Sequence, residues 1–318
     1  MTQVTKLKAT FWNVKEIGGV DPRNRIRPRY VLDEILSDGC DVIGLISVHR
    51  AAISLIEKEA NRHGYEVTSS TVDNSSCRTN ARTRHTVMLV RNGLRVLKHS
   101  STLRFADVLK RQNGVSEMCE GLVLSATGVV LDVLPEPLAV VAIYTPQHER
   151  VDYLSPNALS PKPSDPSSKR RVYTPQPSSE RKEETASDLA VWWTNEFAGE
   201  GAYLLVGGDW NLMSNPSRVD QDRRPDIASA GCDESGREWV QLFQSPHSPV
   251  YPTFPYIRGK DRPSRYIDQV FCRHAQGVST ALTVVPPPRI NHLGVDLGYA
   301  SDHARLCVSM SSSSLFSK

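Results

Sequence analysis

The chain has 318 residues, 39% hydrophobic and 23% charged, an ordinary globular composition long enough to bury one large core or two small ones. Its formal net charge of +3 is too small by itself to imply a polyanionic partner. No run of uncharged apolar residues approaches the roughly 20 needed to span a bilayer, and Met1 to Lys8 lacks the apolar stretch of a signal peptide, so a cytosolic or nuclear location is expected.

Lys6 to Val14 reads as a strand that ends in Trp12-Asn13-Val14, and Arg29 to Ser37 has helical apolar spacing. Asp41 to Leu45, DVIGL, is a short continuous apolar run of the kind that makes a buried central strand, and Ala51 to His63 is helical through Ile53, Ile56 and Ala60. Further strands are predicted at His85 to Arg91, Leu122 to Ser125, Val129 to Leu134 and Leu138 to Tyr144. Helices fall between some strands and not others, so the pattern is mixed α/β rather than a regular alternating parallel sheet. Two arginine groups stand out: Arg23, Arg25, Arg27 and Arg29 alternate in one segment, and Arg78, Arg82, Arg84, Arg91 and Arg95 gather in another. Either reads as a solvated surface on its own, and as an attractor of nucleic acid if it flanks a phosphate-handling centre.

From about His148 to Ser187 the composition turns to Pro, Ser, Lys, Arg and Glu, which cannot bury enough apolar surface to offset the entropy of ordering it. The segment reads as a flexible insertion, because the same architecture resumes after it: a helix at Asp188 to Phe197, then strands at Ala202 to Gly207, Arg265 to Cys272, Gly277 to Val285 and Ala304 to Met310. Residues 1–310 are therefore expected to form one domain and 311–318 a frayed tail. Cysteines at 40, 77, 119, 232, 272 and 307 form no C-x-x-C pair and read as reduced, buried small residues.

Two motifs carry chemistry. Leu204-Leu205-Val206-Gly207-Gly208-Asp209-Trp210-Asn211 is an apolar strand, two glycines, then a carboxylate and a carboxamide two residues apart. The glycines suit a tight turn, and Asp209 and Asn211 would project from one rim; alone, the segment reads equally as a polar turn. Ser301-Asp302-His303 precedes the last strand, and Tyr266-Ile267-Asp268 lies on the strand before. A histidine beside a carboxylate at a strand mouth can exchange a proton while a second carboxylate orients its other ring nitrogen; alone, Ser-Asp also suits a cap or turn.

Taken in order, Trp12-Asn13, DVIGL, Tyr144-x-Pro146, Gly208-Asp209-Trp210-Asn211, Arg265-Tyr266-Ile267-Asp268 and Ser301-Asp302-His303 resemble the endonuclease/exonuclease/phosphatase superfamily over nearly the whole chain. DVIGL with His49-Arg50 after it, and the RYIDQVF strand, look most like the endonuclease domains of non-long-terminal-repeat retrotransposons and the apurinic/apyrimidinic type. The resemblance implies a deoxyribonuclease-I-like four-layered α/β sandwich, two mixed β-sheets packed face to face and flanked by helices. It implies that Asn13 and Asp302 lie on the metal side, with Mg2+ or Mn2+ as cofactor, and that Asp209 handles the proton of water or leaving oxygen. Asn211 then steadies the phosphate, Tyr144 contacts it, His303 faces it, Asp268 orients His303, and Arg150 is a backbone-phosphate contact. The chain departs from the family at Ser47, which stands where a strand followed by Leu-Gln-Glu would place the main metal-binding Glu. A neutral hydroxyl is a poor substitute for a carboxylate on a hard dication.

The function this implies is metal-dependent hydrolysis of nucleic-acid phosphodiesters, DNA rather than RNA, by a monomer with no membrane partner. One alternative is a degenerate domain that binds nucleic acid or protein without cleavage, and a second is a phosphatase of inositol phosphates or other small phosphoesters.

Overall fold

The computed structural model of the chain describes residues 6–17, 23–69, 84–100, 125–133, 136–145, 190–191, 193–199, 202–210, 239–242, 253, 267–273 and 278–312. In chain order the elements are β1 (Lys6–Ile17), α1 (Arg23–Ser37), β2 (Val42–His49), α2 (Arg50–Arg62), β3 (Tyr65–Ser69), β4 (Arg84–Arg91), β5 (Val96–Ser100), β6 (Ser125–Leu131) and β7 (Leu138–Tyr144). Helical residues 190–191 and 193–198, here α3, follow. The chain continues with β8 (Tyr203–Asp209), β9 (Val240–Gln241), β10 (Asp268–Arg273), β11 (Val278–Val285), β12 (Arg289–His292), β13 (Val295–Tyr299) and β14 (Arg305–Ser312).

Two six-stranded sheets result, ordered β11-β14-β1-β2-β4-β3 and β5-β6-β7-β8-β10-β9, and β12-β13 forms a separate hairpin. Each sheet has one parallel pair near its middle, β1 with β2 and β7 with β8, and its remaining pairs are antiparallel. Strands covered on both faces read as continuous apolar runs. β7 and β8 fit that rule, since all seven residues of each are buried.

The side chains sort into layers by the two-residue period of a strand. Leu7, Ala9 and Phe11 of β1, Val140 and Ala142 of β7, Leu205 of β8 and Leu306 of β14 fill the core between the sheets. Trp12, Val14 and Ile17 point the other way, against Val31, Leu32 and Ile35 of α1 and Ala52, Ile56 and Ala60 of α2. On the far side, Val141, Leu204 and Val206 pack with Ala190, Trp193 and Phe197 of α3 and with Trp210, Trp239 and Phe271. Helix, sheet, sheet, helix is the expected four-layered arrangement, with two mixed sheets face to face. Ala52, Ile56 and Ala60 supply the apolar stripe of α2, and His49 caps its start by accepting from the Ala51 N–H.

Differences from the expected elements have local causes. Gly207 and Gly208 lie inside β8, not at a turn. A Cβ on Gly207 would stand 2.3 Å from the Phe11 ring, and one on Gly208 would stand 1.9 Å from the Ile143 carbonyl oxygen. The glycines therefore admit an aromatic wedge and a close neighbouring strand. β6 is one strand where two were expected, because Thr127 and Gly128 continue the ladder with Ala142 and Val141 of β7; positions 122–124 lie outside the described residues. β14 runs to Ser312, two residues into the expected tail, because Ser311 and Ser312 pair with Ser279 and Val278. The expected insertion at 148–187 lies outside the described residues. No described helix is long and apolar enough to cross a membrane. Cys40, Cys272 and Cys307 are free thiols, as their spacing implied, and burial pushes Cys40 and Cys272 up to about 11.

Candidate active site

Three adjacent strands of one sheet place three motif residues side by side. Tyr144 ends β7 and is in register with Asp209, which ends β8, and Asp209 is in register with Asp268 at the start of β10. Val270 and Cys272 show which face of β10 meets the inter-sheet core, and the two-residue period puts Asp268 on it with Tyr144. The other sheet supplies the opposite wall. Asn13 follows Phe11 at the same two-residue spacing, and its Nδ2 donates to Asp209 Oδ2 across 2.7 Å. His303, just ahead of β14, brings Nδ1 to 3.0 and 2.9 Å from the two oxygens of Asp268. Two hydrogen-bonded pairs, Asn13 with Asp209 and His303 with Asp268, thus clip the sheets together at one end.

A shell of backbone contacts fixes this arrangement. The Trp12 indole N–H donates to the His303 carbonyl at 3.0 Å. Ser301 Oγ donates to the Asn13 carbonyl at 2.6 Å and accepts from the His303 N–H at 3.1 Å. Thr253 ties β10 to the His303 segment, its hydroxyl accepting from Asp268 N–H at 3.2 Å and its carbonyl from Ala304 N–H at 2.8 Å. Arg27 donates through Nε to the Ala300 carbonyl at 2.9 Å and through Nη2 to the Val14 carbonyl at 3.3 Å.

The electrostatics follow from the geometry. His303 is buried, which alone would hold its ring neutral; the Asp268 charge, the Asp268 hydrogen bond, and then Asp209 and Asp302 outweigh that and raise its pKa to about 9. At neutral pH the ring is an imidazolium that donates Nδ1–H to Asp268. Its Nε2 lies 3.7 Å from Asp302 Oδ1. Asp302 also forms an ion pair with the Lys15 ammonium. Three carboxylates and two cations therefore share the site.

Both strands that border this pocket bulge at its level. The register of β1 on β2 shifts between Asn13 and Ile17, and that of β2 on β4 shifts between Leu45 and Val48. Lys15 and Ser47 sit in those irregular stretches with positive φ, 46° and 61°. Such a conformation costs a non-glycine residue on the order of 1–3 kcal/mol and persists where surrounding contacts over-determine it. For Lys15 those contacts include its own N–H on Asn13 Oδ1 at 2.9 Å.

The structure thus brings Asn13, Asp209, Asp268, Asp302 and His303 together and places Tyr144 beside Asp209. Asn211 and Arg150 lie outside the described residues. Sequence reasoning missed Lys15, Arg27 and Thr253. It also read the arginine groups as a solvated surface or a ligand contact: Arg95 is exposed and Arg91 partly so, as the first reading has it, with Arg95 paired to Asp132 at 2.9 Å, whereas Arg27 is part-buried and holds backbone.

Asp209, Asp268 and His303 each offer a ligand atom within 4.8 Å of the others, a donor set that could hold a metal ion once the His303 ring gives up a proton. The metal side implied by the sequence resemblance fits a hard dication poorly. Asn13 donates its amide to Asp209 and accepts at Oδ1 from Lys15. Residue 47 has no carboxylate, and the Asp302 carboxylate already carries the Lys15 ammonium.

No family model matches the sequence, and no curated protein does. Solved structures match over almost the full length. An endonuclease/exonuclease/phosphatase protein of Bacteroides vulgatus is 13% identical with a TM-score of 0.62, covering 97% of this chain and 99% of its own. D. rerio TDP2 complexed with a single-strand DNA product is 15% identical with a TM-score of 0.60, covering 97% and 100%. The human Nocturnin catalytic domain with bound sulfate anion is 13% identical with a TM-score of 0.58, covering 98% and 96%. Identities this low establish the fold, not the activity. By its two packed mixed sheets and by these full-length superpositions, the chain has the fold of the endonuclease/exonuclease/phosphatase superfamily.

Proposed function

We propose that the chain is a phosphoric ester hydrolase acting as a monomer on nucleic-acid phosphodiesters, DNA in preference to RNA. The observation that carries this reading is the facing of the Asn13–Asp209 and His303–Asp268 pairs across the two sheets. The D. rerio TDP2 structure, with its single-strand DNA product, supports nucleic acid as the ligand, and the sulfate bound to Nocturnin is consistent with a tetrahedral anion.

Attack of water on a phosphodiester gathers negative charge on the non-bridging oxygens, so the site needs fixed donors there and a group that manages the proton. The His303 imidazolium is a donor held in place by Asp268, and its Nε2–H faces the phosphate. Asp209, fixed by the Asn13 amide, accepts the proton of the attacking water or returns one to the leaving oxygen. The Tyr144 hydroxyl and, by the resemblance, Asn211 and Arg150 contact the phosphate from the sides. A magnesium or manganese ion held by Asp209, Asp268 and His303 would first need the His303 ring to lose a proton, because an imidazolium has no nitrogen lone pair to offer, and it would then supply positive charge to the phosphate oxygens.

Supercoiled plasmid incubated with the purified chain and magnesium or manganese becomes nicked, and Asp209→Asn abolishes nicking. Equal inertness of the two proteins at every metal concentration would contradict hydrolysis. It would leave the second reading, a domain that binds nucleic acid or protein without cleavage, which Ser47 and the Lys15–Asp302 pair favour.

A further inference from the structure

The proton-handling groups leave the Lys15–Asp302 pair without a task, yet its position is built rather than incidental. Lys15 adopts a positive φ in an irregular stretch of β1, and the backbone around it is fastened at three successive residues. Ser301 Oγ donates to the Asn13 carbonyl at 2.6 Å, Arg27 donates to the Val14 carbonyl at 3.3 Å, and the Lys15 N–H donates to Asn13 Oδ1 at 2.9 Å. The result sends the ammonium to Asp302, whose carboxylate is 12% exposed, while the Lys15 side chain remains 57% exposed.

We propose that Lys15 is the resident cation of this site: its ammonium stands on Asp302 where the family arrangement would set a divalent ion, so a phosphate ester is engaged without metal. The inference deepens the phosphoester reading above and rests on it. Ser47 and Lys15 act in the same direction. The first removes a carboxylate that a dication needs, and the second places a positive charge on the carboxylate that remains, where it repels an incoming cation. An ammonium has three N–H donors, so one on Asp302 leaves two for non-bridging phosphate oxygens. Nothing else in the described residues puts a cation on Asp302 except His303, at 3.7 Å.

Two measurements on the intact chain test this. The first titrates Mn2+ alone, with free ion read by electron paramagnetic resonance. Wild type takes up no ion in a manner that depends on Asp302, and the double variant Lys15→Met/Ser47→Glu gains affinity about tenfold or more, lost again on adding Asp302→Asn. Saturable binding by wild type that Asp302→Asn removes would overturn the inference, as would a folded double variant with no gain. The second follows a fluorescent single-stranded oligonucleotide. Wild-type affinity is the same with and without excess EDTA, falls about ten- to a hundredfold in Lys15→Met, and is recovered in Lys15→Arg. A loss of affinity on adding EDTA would overturn it equally. Thermal melts establish that each variant folds, with Lys15→Gln replacing Lys15→Met if the latter does not. If wild type ignores the oligonucleotide under all conditions, the nucleic-acid reading fails, whereas the Mn2+ titration still decides the role of Lys15.

Discussion

Replacing Asp268 with Asn removes the carboxylate whose two oxygens lie 2.9 and 3.0 Å from His303 Nδ1 and keeps a side chain of the same shape. Burial pulls the ring toward neutrality, and the Asp268 charge and hydrogen bond are the two strongest forces against it. A rise from 6.5 to about 9 corresponds to roughly 3 kcal/mol favouring the imidazolium, at about 1.4 kcal/mol per pKa unit. Without Asp268 the desolvation acts against only Asp209 and Asp302, so His303 titrates well below its wild-type midpoint. Imidazole nitrogen shifts, followed by NMR from pH 5 upward, read both midpoints. Stability carries the same signature. A folded pKa above the unfolded one contributes stability that is fully present below pH 6.5 and is lost as pH rises through about 9. The wild type therefore weakens over that window, and Asp268→Asn flattens the decline. A wild-type midpoint near 6.5, or one unchanged in the variant, would refute the reasoning.

Gly207→Ala drives a methyl to 2.3 Å from the Phe11 ring in the inter-sheet core, and the urea midpoint should fall by the equivalent of about 1–3 kcal/mol. Arg27→Met removes the donors to the Ala300 and Val14 carbonyls, a loss of about 1–3 kcal/mol that should also speed amide exchange at residues 300–303. Trp12→Phe keeps the ring's place beside the helices but drops the N–H on the His303 carbonyl; about 1 kcal/mol of stability should go with it, along with a larger share of any hydrolytic rate.

Continuous apolar runs made the central strands legible in advance, because β2, β7 and β8 are covered on both faces and any other composition there would be costly. Of the edge strands, β11 was legible too, and β3, β5 and β9 were not. β3 and β5 keep most of their side chains partly or fully in solvent, so neither period nor hydrophobicity marks them. The β12–β13 hairpin is equally half-wet and carries exposed Leu293 and Val295 around its tip. α1 begins six residues before its apolar spacing does, through an arginine-rich turn in which Arg27 serves backbone carbonyls rather than solvent.

The site divides in the same way. Asn13, Asp209, Asp268 and His303 were legible because short motifs carry them, although the two hydrogen bonds that join them span 196 and 35 residues. Ser47 announced itself as a missing carboxylate. Lys15 did not, since its partner lies 287 residues away and its direction depends on a positive φ that no local composition signals. Gly207 and Gly208 misled for a related reason: a strand interior that must admit a facing phenylalanine and a close neighbouring strand looks, in one dimension, like a turn.

A crystal structure with a short single-stranded oligonucleotide, uncleavable by phosphorothioate substitution, tests most directly whether this end of the sandwich is a phosphate site. The account predicts one backbone phosphate between the sheets, within hydrogen-bonding reach of His303 Nε2 and the Lys15 ammonium and facing Asp209. An oligonucleotide bound elsewhere, with the Asn13–Asp209 and His303–Asp268 pairs untouched, would contradict it.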